Sequence, residues 1–218
     1  MSPALRWFCL LVPLALLMGG CLAVGQSFQL ANLIAALVAA GTGTIAIAAL
    51  DRREWVRSGA KQPFFAGTLR GGFANPFDVL VRGKQPLASA FTNVISESLK
   101  KNGFTTKPVV VPHTAEEAEA LQQLVAAGAD KSLLIDIHQW QSDTYVNVSM
   151  TYLLSARVFD AQGNVLAQAS ITGAEDGQDN LKGSVMNPAG YAKRAVPKAF
   201  QDHIERLLNH EDIVKALS

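Results

Sequence analysis

Asp136 and His138 are the two side chains of this sequence whose types and spacing best suit chemistry. They lie two residues apart on a predicted strand, so both point to the same face of the sheet. A carboxylate that orients an imidazole occurs at general bases and in metal sites. Leu134 and Trp140 share the predicted face, which equally fits a polar pair at a sheet surface. Since no third ligand or nucleophile completes a motif, we retain the pair as possible binding residues.

Asp51, Arg52 and Arg53 form a second charged group, at the end of another predicted strand. The planar guanidinium of arginine binds carboxylates and phosphates through paired hydrogen bonds, so this group could recognise such a ligand. Alternatively, Asp51 pairs with an arginine, closes the end of the strand and holds the following loop. We favour this structural interpretation and retain Asp51 and Arg52 as possible binding residues.

Several other chemistries find no support in the sequence. His113, His203 and His210 lack the spacing of a zinc site, so we expect neither a metal nor a cofactor. The glycine-rich stretch at residues 67–72 fits neither a P-loop nor a dinucleotide fingerprint. The chain has 19 Lys and Arg residues against 18 Asp and Glu residues, without a basic cluster. This balance gives no electrostatic footprint for nucleic acid.

The residues before Cys21 indicate where the protein resides. A basic start ending at Arg6 precedes an apolar run over residues 7–18, and Gly19 and Gly20 bring small side chains up to the cysteine. This order is typical of a secretory signal peptide. The apolar run is too short to span a bilayer comfortably, because a spanning helix needs roughly 20 residues. We therefore expect residues 1–20 to be cleaved off.

Residues 17–21 resemble the lipobox of bacterial lipoproteins, with Met18 as a mild departure. The resemblance implies diacylglycerol on the Cys21 sulfur and acylation of the new amino terminus. Two or more acyl chains anchor a protein stably. Leu22 is not the aspartate that marks retention in the inner membrane. The resemblance therefore implies the periplasmic face of the outer membrane of a Gram-negative bacterium, with the inner membrane as the alternative.

We expect residues 21–43 to be a lipidated cysteine with an apolar tether, and residues 44–218 to fold as one periplasmic domain. Within the tether, Leu30, Leu33 and Leu37 recur at helical spacing, and Gly41 suits a helix C-cap. The spacing predicts a short apolar helix. A transmembrane helix over residues 28–50 is the alternative on length alone.

The hydrophobic periodicity predicts an α+β domain. Predicted strands cover residues 44–50, 64–69, 77–81, 104–111, 133–140, 146–158 and 165–171. Residues 87–101 carry the clearest helical stripe, Thr114 and Glu117 fit a capping box for a second helix, and a third helix closes the chain. The last three strands form an antiparallel meander. We expect a mixed or antiparallel sheet with two or three helices packed on one face.

The order of these features resembles the YajG-type lipoproteins of Gram-negative bacteria. The shared features are the lipobox, a strand ending in Asp51 and Arg52, a glycine-rich hairpin, a helix ending at residues 99–104, the meander and a C-terminal helix. The layout is more remotely similar to auxiliary lipoproteins of lipid-transport systems and to outer-membrane activators of penicillin-binding proteins. The resemblance implies a module that binds partners and does not catalyse.

These features together predict a non-enzymatic envelope lipoprotein that binds another envelope protein or a cell-wall component from the membrane surface. The polar face of its longest strand would receive a protein or glycan; this face comprises Asn147, Ser149, Thr151 and Arg157. The first alternative is an auxiliary subunit of a lipid-transport system, whose helix at residues 28–40 contacts lipid or a transporter. A metal-dependent or hydrolytic enzyme that uses Asp136 and His138 is a more distant alternative.

Overall fold

The structure, a computed structural model, describes residues 26–71, 73–176 and 187–218. Its strands are β1 Ser27–Phe28, β2 Thr44–Asp51, β3 Phe65–Arg70, β4 Pro76–Val81, β5 Thr105–Pro108, β6 Lys131–Thr144, β7 Val148–Asp160 and β8 Val165–Asp176. Its helices are α1 Glu54–Arg57, α2 Leu87–Lys101, α3 Glu117–Ala126, α4 Pro188–Leu208 and α5 Glu211–Leu217. Cys21 and the predicted signal peptide lie outside the described residues. No helix within the described ranges is long and apolar enough to cross a membrane.

The strands form one mixed sheet around β6. One edge of β6 pairs with β7 in antiparallel orientation, and β7 pairs in turn with β8, which confirms the predicted meander. The other edge pairs in parallel with β2 over residues 131–137 and then with β3 over residues 142–144. The sheet therefore forks where β2 ends. One branch carries β2 and β5, and the other carries β3, β4 and β1.

The sheet separates two hydrophobic cores. Helices α2, α4 and α5 cover one face, and their apolar stripes include Phe91, Phe200 and Ile213. Helix α3 covers part of the other face with Ala120 and Leu124. The alternating burial along β7 follows the predicted period of two, with every second residue turned toward the larger core. The α+β class and the helices on one face are confirmed.

The short apolar helix predicted up to Gly41 is wrong, and so is the transmembrane alternative over residues 28–50. Residues 29–43, which we call the strap, contain neither helix nor strand, and residues 44–50 belong to β2. The strap packs on the larger core through buried residues that include Leu30, Ala35 and Ala39.

The backbone groups of the strap form hydrogen bonds with side chains of the neighbouring helices and of the residues that end these helices. Its amide groups donate to Ser98 Oγ at 2.9 Å, to Glu205 Oε1 at 2.8 Å and to Asn209 Oδ1 at 2.8 Å. The Asn102 amide donates to two strap carbonyls at 2.6 and 2.8 Å. Since buried backbone groups need partners, these polar side chains stabilise an extended path for an alanine-rich segment.

A β-bulge in β6 changes which residues share a face. The pairing register with β7 shifts between Ile137 and Gln139, so His138 is an extra residue in the strand. Trp140 consequently points away from Asp136 and packs against the rings of Phe91 and Phe200, at centroid distances of 6.3 and 5.5 Å. The prediction that Trp140 shares a face with Asp136 is wrong.

Several element boundaries also differ from the predictions; for example, β8 continues to Asp176 rather than ending at residue 171. Strand β6 continues to Thr144 rather than ending at residue 140, and β5 stops at Pro108. Helix α3 begins at Glu117 without a side-chain cap, so the capping box from Thr114 is absent.

Arg53 fills the fork in the sheet. Its guanidinium donates to both oxygens of Asp51, from Nε at 2.8 Å and from Nη2 at 2.6 Å. It also donates to the carbonyl oxygens of Phe65 at 2.7 Å, Trp140 at 3.3 Å and Pro63 at 3.3 Å. The side chains of Arg53 and Asp51 are 0% and 1% exposed. The pair thus closes the strand end, as the structural interpretation of this motif requires.

We predict that Arg53→Met lowers the free energy of unfolding by about 3–5 kcal/mol, because it leaves the Asp51 carboxylate buried without its partner. Urea denaturation measures the change. Arg57→Met is the matched control, since Arg57 donates to Glu116 at 2.6 Å but both side chains are exposed. Its cost should stay below about 1 kcal/mol. Equal losses for the two variants would contradict this role of Arg53.

Candidate functional site

A depression of about 520 Å³ lies on the sheet face opposite α2 and α4. It is lined by Arg52, Glu117, Asp136, His138, Ser155, Ala156, Arg157, Gln168, Ala169 and Ser170. These residues come from the end of β2, from the start of α3 and from the three strands of the meander. The depression therefore lies where the fork, the bulge and the meander meet.

Asp136 is held between two arginines at the floor of the depression. Arg52 Nε donates to Asp136 Oδ1 at 2.7 Å, and Arg157 Nη2 donates to Oδ2 at 2.8 Å. The Asp136 side chain is 4% exposed, whereas those of Arg52 and Arg157 are 16% and 19% exposed. The carboxylate is thus buried together with its two partners, an arrangement that joins the end of β2 to β6 and β7.

Glu117 supplies a second carboxylate from the first turn of α3. It accepts a hydrogen bond from Arg157 Nη1 and lies 3.5 Å from Arg52 Nη2. The bond with Arg157 lowers the pKa of Glu117, and the same bond raises the pKa of the Arg157 guanidinium. Arg52 Nη1 also lies 3.8 Å from Glu116 Oε2, so two guanidinium groups face three carboxylates. Because these charges compensate each other, the cluster leaves no excess positive charge to attract an anion.

His138 and Ser155 are the polar side chains beside this cluster. His138 is exposed, and its Nε2 lies 3.4 Å from Ser155 Oγ. Asp136 accepts its side-chain hydrogen bonds from Arg52 and Arg157 and not from His138, so it does not orient the imidazole as a catalytic carboxylate would. Within the described ranges, no group of three or more His, Cys, Asp and Glu side chains could hold a metal ion. The geometry suits hydrogen bonding to a ligand better than proton transfer.

The structure brings together three of the four residues proposed for binding. Arg52, Asp136 and His138 line the same depression, whereas Asp51 is buried against Arg53 in the fork. Sequence reasoning assigned Arg157 to a polar strand face and Glu117 to a helix cap, so it missed their place in the ion network. Their charge was visible, but their pairing depends on the register of β6 with β7 and on the position of α3.

No protein-family model matches this chain, and no curated protein matches it. Among solved structures, a Xanthomonas campestris protein of the DUF330 family gives a TM-score of 0.52 at 12% identity, over 88% of this chain and 95% of that chain. A lipoprotein from Neisseria meningitidis gives 0.29 at 19% identity, over 73% and 99% of the two chains. The LpoB C-terminal domain from Salmonella enterica gives 0.30 at 13% identity, over 65% and 87%.

The first of these TM-scores shows that this chain shares the fold of the Xanthomonas protein. At 12% identity the likeness extends to the fold alone. The fold is therefore one that bacterial proteins use, while membership of the YajG-type family stays a prediction.

A second titratable group, His203, is fully buried in the larger core rather than lying exposed on helix α4. Its Nδ1 accepts a hydrogen bond from Trp140 Nε1 at 3.2 Å, and its ring packs 3.8 Å from that of Tyr152. Accepting at Nδ1 requires the neutral ring to carry its proton on Nε2, which lies 3.5 Å from Glu175 Oε2. Burial lowers the pKa of His203 and so favours the neutral form.

We predict that the free energy of unfolding falls as the pH is lowered from 7.5 to 5.5, and that His203→Gln reduces this fall. The unfolded histidine binds a proton near pH 6.5, whereas the folded one resists protonation, so acid favours the unfolded state. Each unit of pKa difference contributes about 1.4 kcal/mol. Urea denaturation of the wild type and of His203→Gln across this pH range tests the prediction. His113→Gln is the control, because His113 is exposed. Parallel curves for wild type and His203→Gln would exclude His203 as the cause.

Proposed function

We propose that this protein is a lipoprotein of the bacterial cell envelope, anchored through acyl chains on Cys21, which acts by binding another envelope component. The observation that carries the proposal is the position of the lipobox directly before the fold. Cys21 precedes Gln26 by five residues, and the backbone of Gln26 is already hydrogen-bonded to β4. Since an extended chain spans at most about 3.6 Å per residue, a lipid on Cys21 would hold the domain within roughly 18 Å of the membrane.

The binding surface in this proposal is the outer face of the meander, around the depression. His138, Gln168 and Ser170 are exposed there and offer neutral hydrogen-bonding groups. The arginines beneath them are already paired with Asp136 and Glu117. A surface with paired charges and free amide and hydroxyl groups suits an uncharged partner surface, such as a polar protein face or a glycan.

The site geometry favours binding over catalysis. A hydrolase or metal enzyme built on Asp136 and His138 needs a carboxylate that is available to the imidazole or to an ion. Asp136 instead holds β2, β6 and β7 together through two arginines. The alternative of an auxiliary lipid-transport subunit loses one of its two supports, because residues 28–40 form no helix that could contact lipid or a transporter. Its other support, the similarity of layout to such lipoproteins, stays a prediction.

Localisation at the periplasmic face of the outer membrane stays part of the proposal. It depends on Leu22 at the second position of the processed chain, which differs from the aspartate of lipoproteins retained in the inner membrane.

We predict that metabolic labelling with palmitate marks the wild-type protein and not Cys21→Ala, because the Cys21 thiol is the proposed attachment point. Cys9→Ala is the matched control, since Cys9 lies inside the cleaved segment, and it should label like the wild type. Membrane fractionation then locates the labelled protein. Equal labelling of wild type and Cys21→Ala would refute the anchor.

The binding surface is tested by site-specific photo-crosslinking in the membrane. A benzophenone amino acid at exposed Gln168 should give a discrete adduct, identified by mass spectrometry. The same probe at exposed Lys101 on α2, on the opposite face, should not. Ser170→Arg should suppress the adduct by filling the depression while leaving the fold intact. An adduct at Lys101 and none at Gln168 would place the binding surface elsewhere.

A further inference from the structure

The direction in which the chain enters the fold determines which end of the sheet lies near Cys21. Strand β1 runs parallel to β4, with Ser27 opposite Leu80 and Phe28 opposite Val81. The amide of Leu80 donates to the carbonyl oxygen of Gln26 at 3.1 Å, so the ladder already includes Gln26. Followed backwards from Ser27, the chain therefore points toward the start of β4, at Pro76.

Distances along the strands restrict the anchor to that end. Because Ser27 lies opposite Leu80, Gln26 lies opposite Val79. The start of β4, at Pro76, is three residues from Val79, or about 10 Å. Five residues reach at most about 18 Å from Gln26. On β6 the level of Gln26 is that of Ser142, because Val79 pairs with Gly67 and Gly67 pairs with Ser142. The opposite end of the sheet, at Lys131, lies 11 residues from Ser142, or about 36 Å. Whatever path residues 22–25 take, Cys21 can reach the first end and not the second.

The exposed large aromatic side chains of the described residues lie at the reachable end, whereas exposed aliphatic side chains also occur elsewhere, as at Val110 and Val165. We call this end the hairpin end. It comprises residues 73–75 between β3 and β4, the first two residues of β4 (Pro76 and Phe77), and residues 145–147 between β6 and β7. Phe73 is 92% exposed and Phe77 is 39% exposed. Tyr145 and Val146 are each 44% exposed in the neighbouring turn. The pairing of Leu69 with Thr144 places the two turns side by side.

The hairpin end is held together and electrically balanced. Arg70 donates to both carboxylate oxygens of Asp143, from Nε at 2.9 and 3.1 Å and from Nη2 at 2.5 Å. This pair links β3 to β6 just behind the exposed rings. Lys61 similarly pairs with Asp78 on β4 at 2.5 Å. The apolar side chains thus project from a supported surface whose charges are paired.

We propose that the hairpin end rests on the lipid bilayer that holds Cys21, with Phe73 inserted at the boundary between headgroups and acyl chains. This inference depends on the proposed lipid anchor. Aromatic side chains favour this boundary region, and burying exposed apolar surface there is favourable. The partner is lipid because the anchor itself brings the bilayer to this end. The strands of the meander then run away from the membrane, and Asp136, eight residues before Thr144, stands about 26 Å above it.

The experiment uses the full-length lipoprotein, processed and reconstituted into vesicles of phosphatidylethanolamine and phosphatidylglycerol. The processed chain has lost Cys9, and Cys21 is occupied by lipid, so Phe73→Cys introduces a unique thiol for an environment-sensitive fluorophore. Nitroxide-labelled lipid should quench this fluorophore several-fold more strongly than the same fluorophore at Val165→Cys. Val165 is the matched control, because it is an exposed apolar residue at the opposite end of the meander.

The outcomes separate this inference from the anchor. If the protein does not float with the vesicles, the anchor fails and the inference fails with it. If it floats but quenching at positions 73 and 165 is equal, the anchor stands and the inference is overturned. Tyr145→Cys provides a second position at the hairpin end and should be quenched like Phe73→Cys. Photo-crosslinking from position 73 to a protein in native membranes, without lipid quenching, would also overturn it.

Discussion

The ion pair between Arg53 and Asp51 is the interaction on which the rest of the structure depends. Strand β6 has one edge that two strands share, and a sheet that forks leaves backbone carbonyls at the branch without partners. Arginine carries five N–H donors in a fixed plane, and Arg53 uses them for one carboxylate and three carbonyls. This side chain therefore connects the two branches of the sheet through polar contacts at the point where they separate.

The same three-residue segment also organises the opposite face. Because successive residues of an extended chain point to opposite sides, burying Asp51 and Arg53 in the fork turns Arg52 toward Asp136. The β-bulge at His138 has a related effect, since it directs Trp140 into the core while leaving His138 exposed beside Asp136. The candidate site is therefore a consequence of how the fork is closed. Its charged side chains pair with one another and stabilise the fold, whether or not a ligand binds.

The strap shows how tertiary contacts override local preference. Its alanines and leucines favour a helix, but amide and carbonyl groups of the strap bond to polar side chains of α2 and α4 and to the residues that end these helices. The extended path carries the chain from β1, at the edge of the sheet, across the larger core to β2 at its centre. At β1 the chain runs parallel to β4, so, followed backwards from Ser27, it points toward the start of β4.

Periodicity determined much of the fold from the sequence. The period of two in β7 and the helical stripe of α2 depend on local burial, which the residue types record directly. The order of residues 1–21 likewise predicts localisation in the cell envelope without any tertiary information. The residues Arg52, Asp136 and His138 were identified by type and spacing, although their partners Arg157 and Glu117 were not.

The fork, the bulge and the strap were decided by the tertiary structure alone. Each depends on which distant group satisfies a backbone hydrogen bond, and such a partner leaves no periodic trace in the sequence. One extra residue in β6 reverses the faces of all residues after it, which is why Trp140 was misplaced and Asp136 was not. Outside the strap, local residue patterns thus predicted most of the strands and helices, whereas long-range hydrogen bonds determined how they meet and which charges form the site.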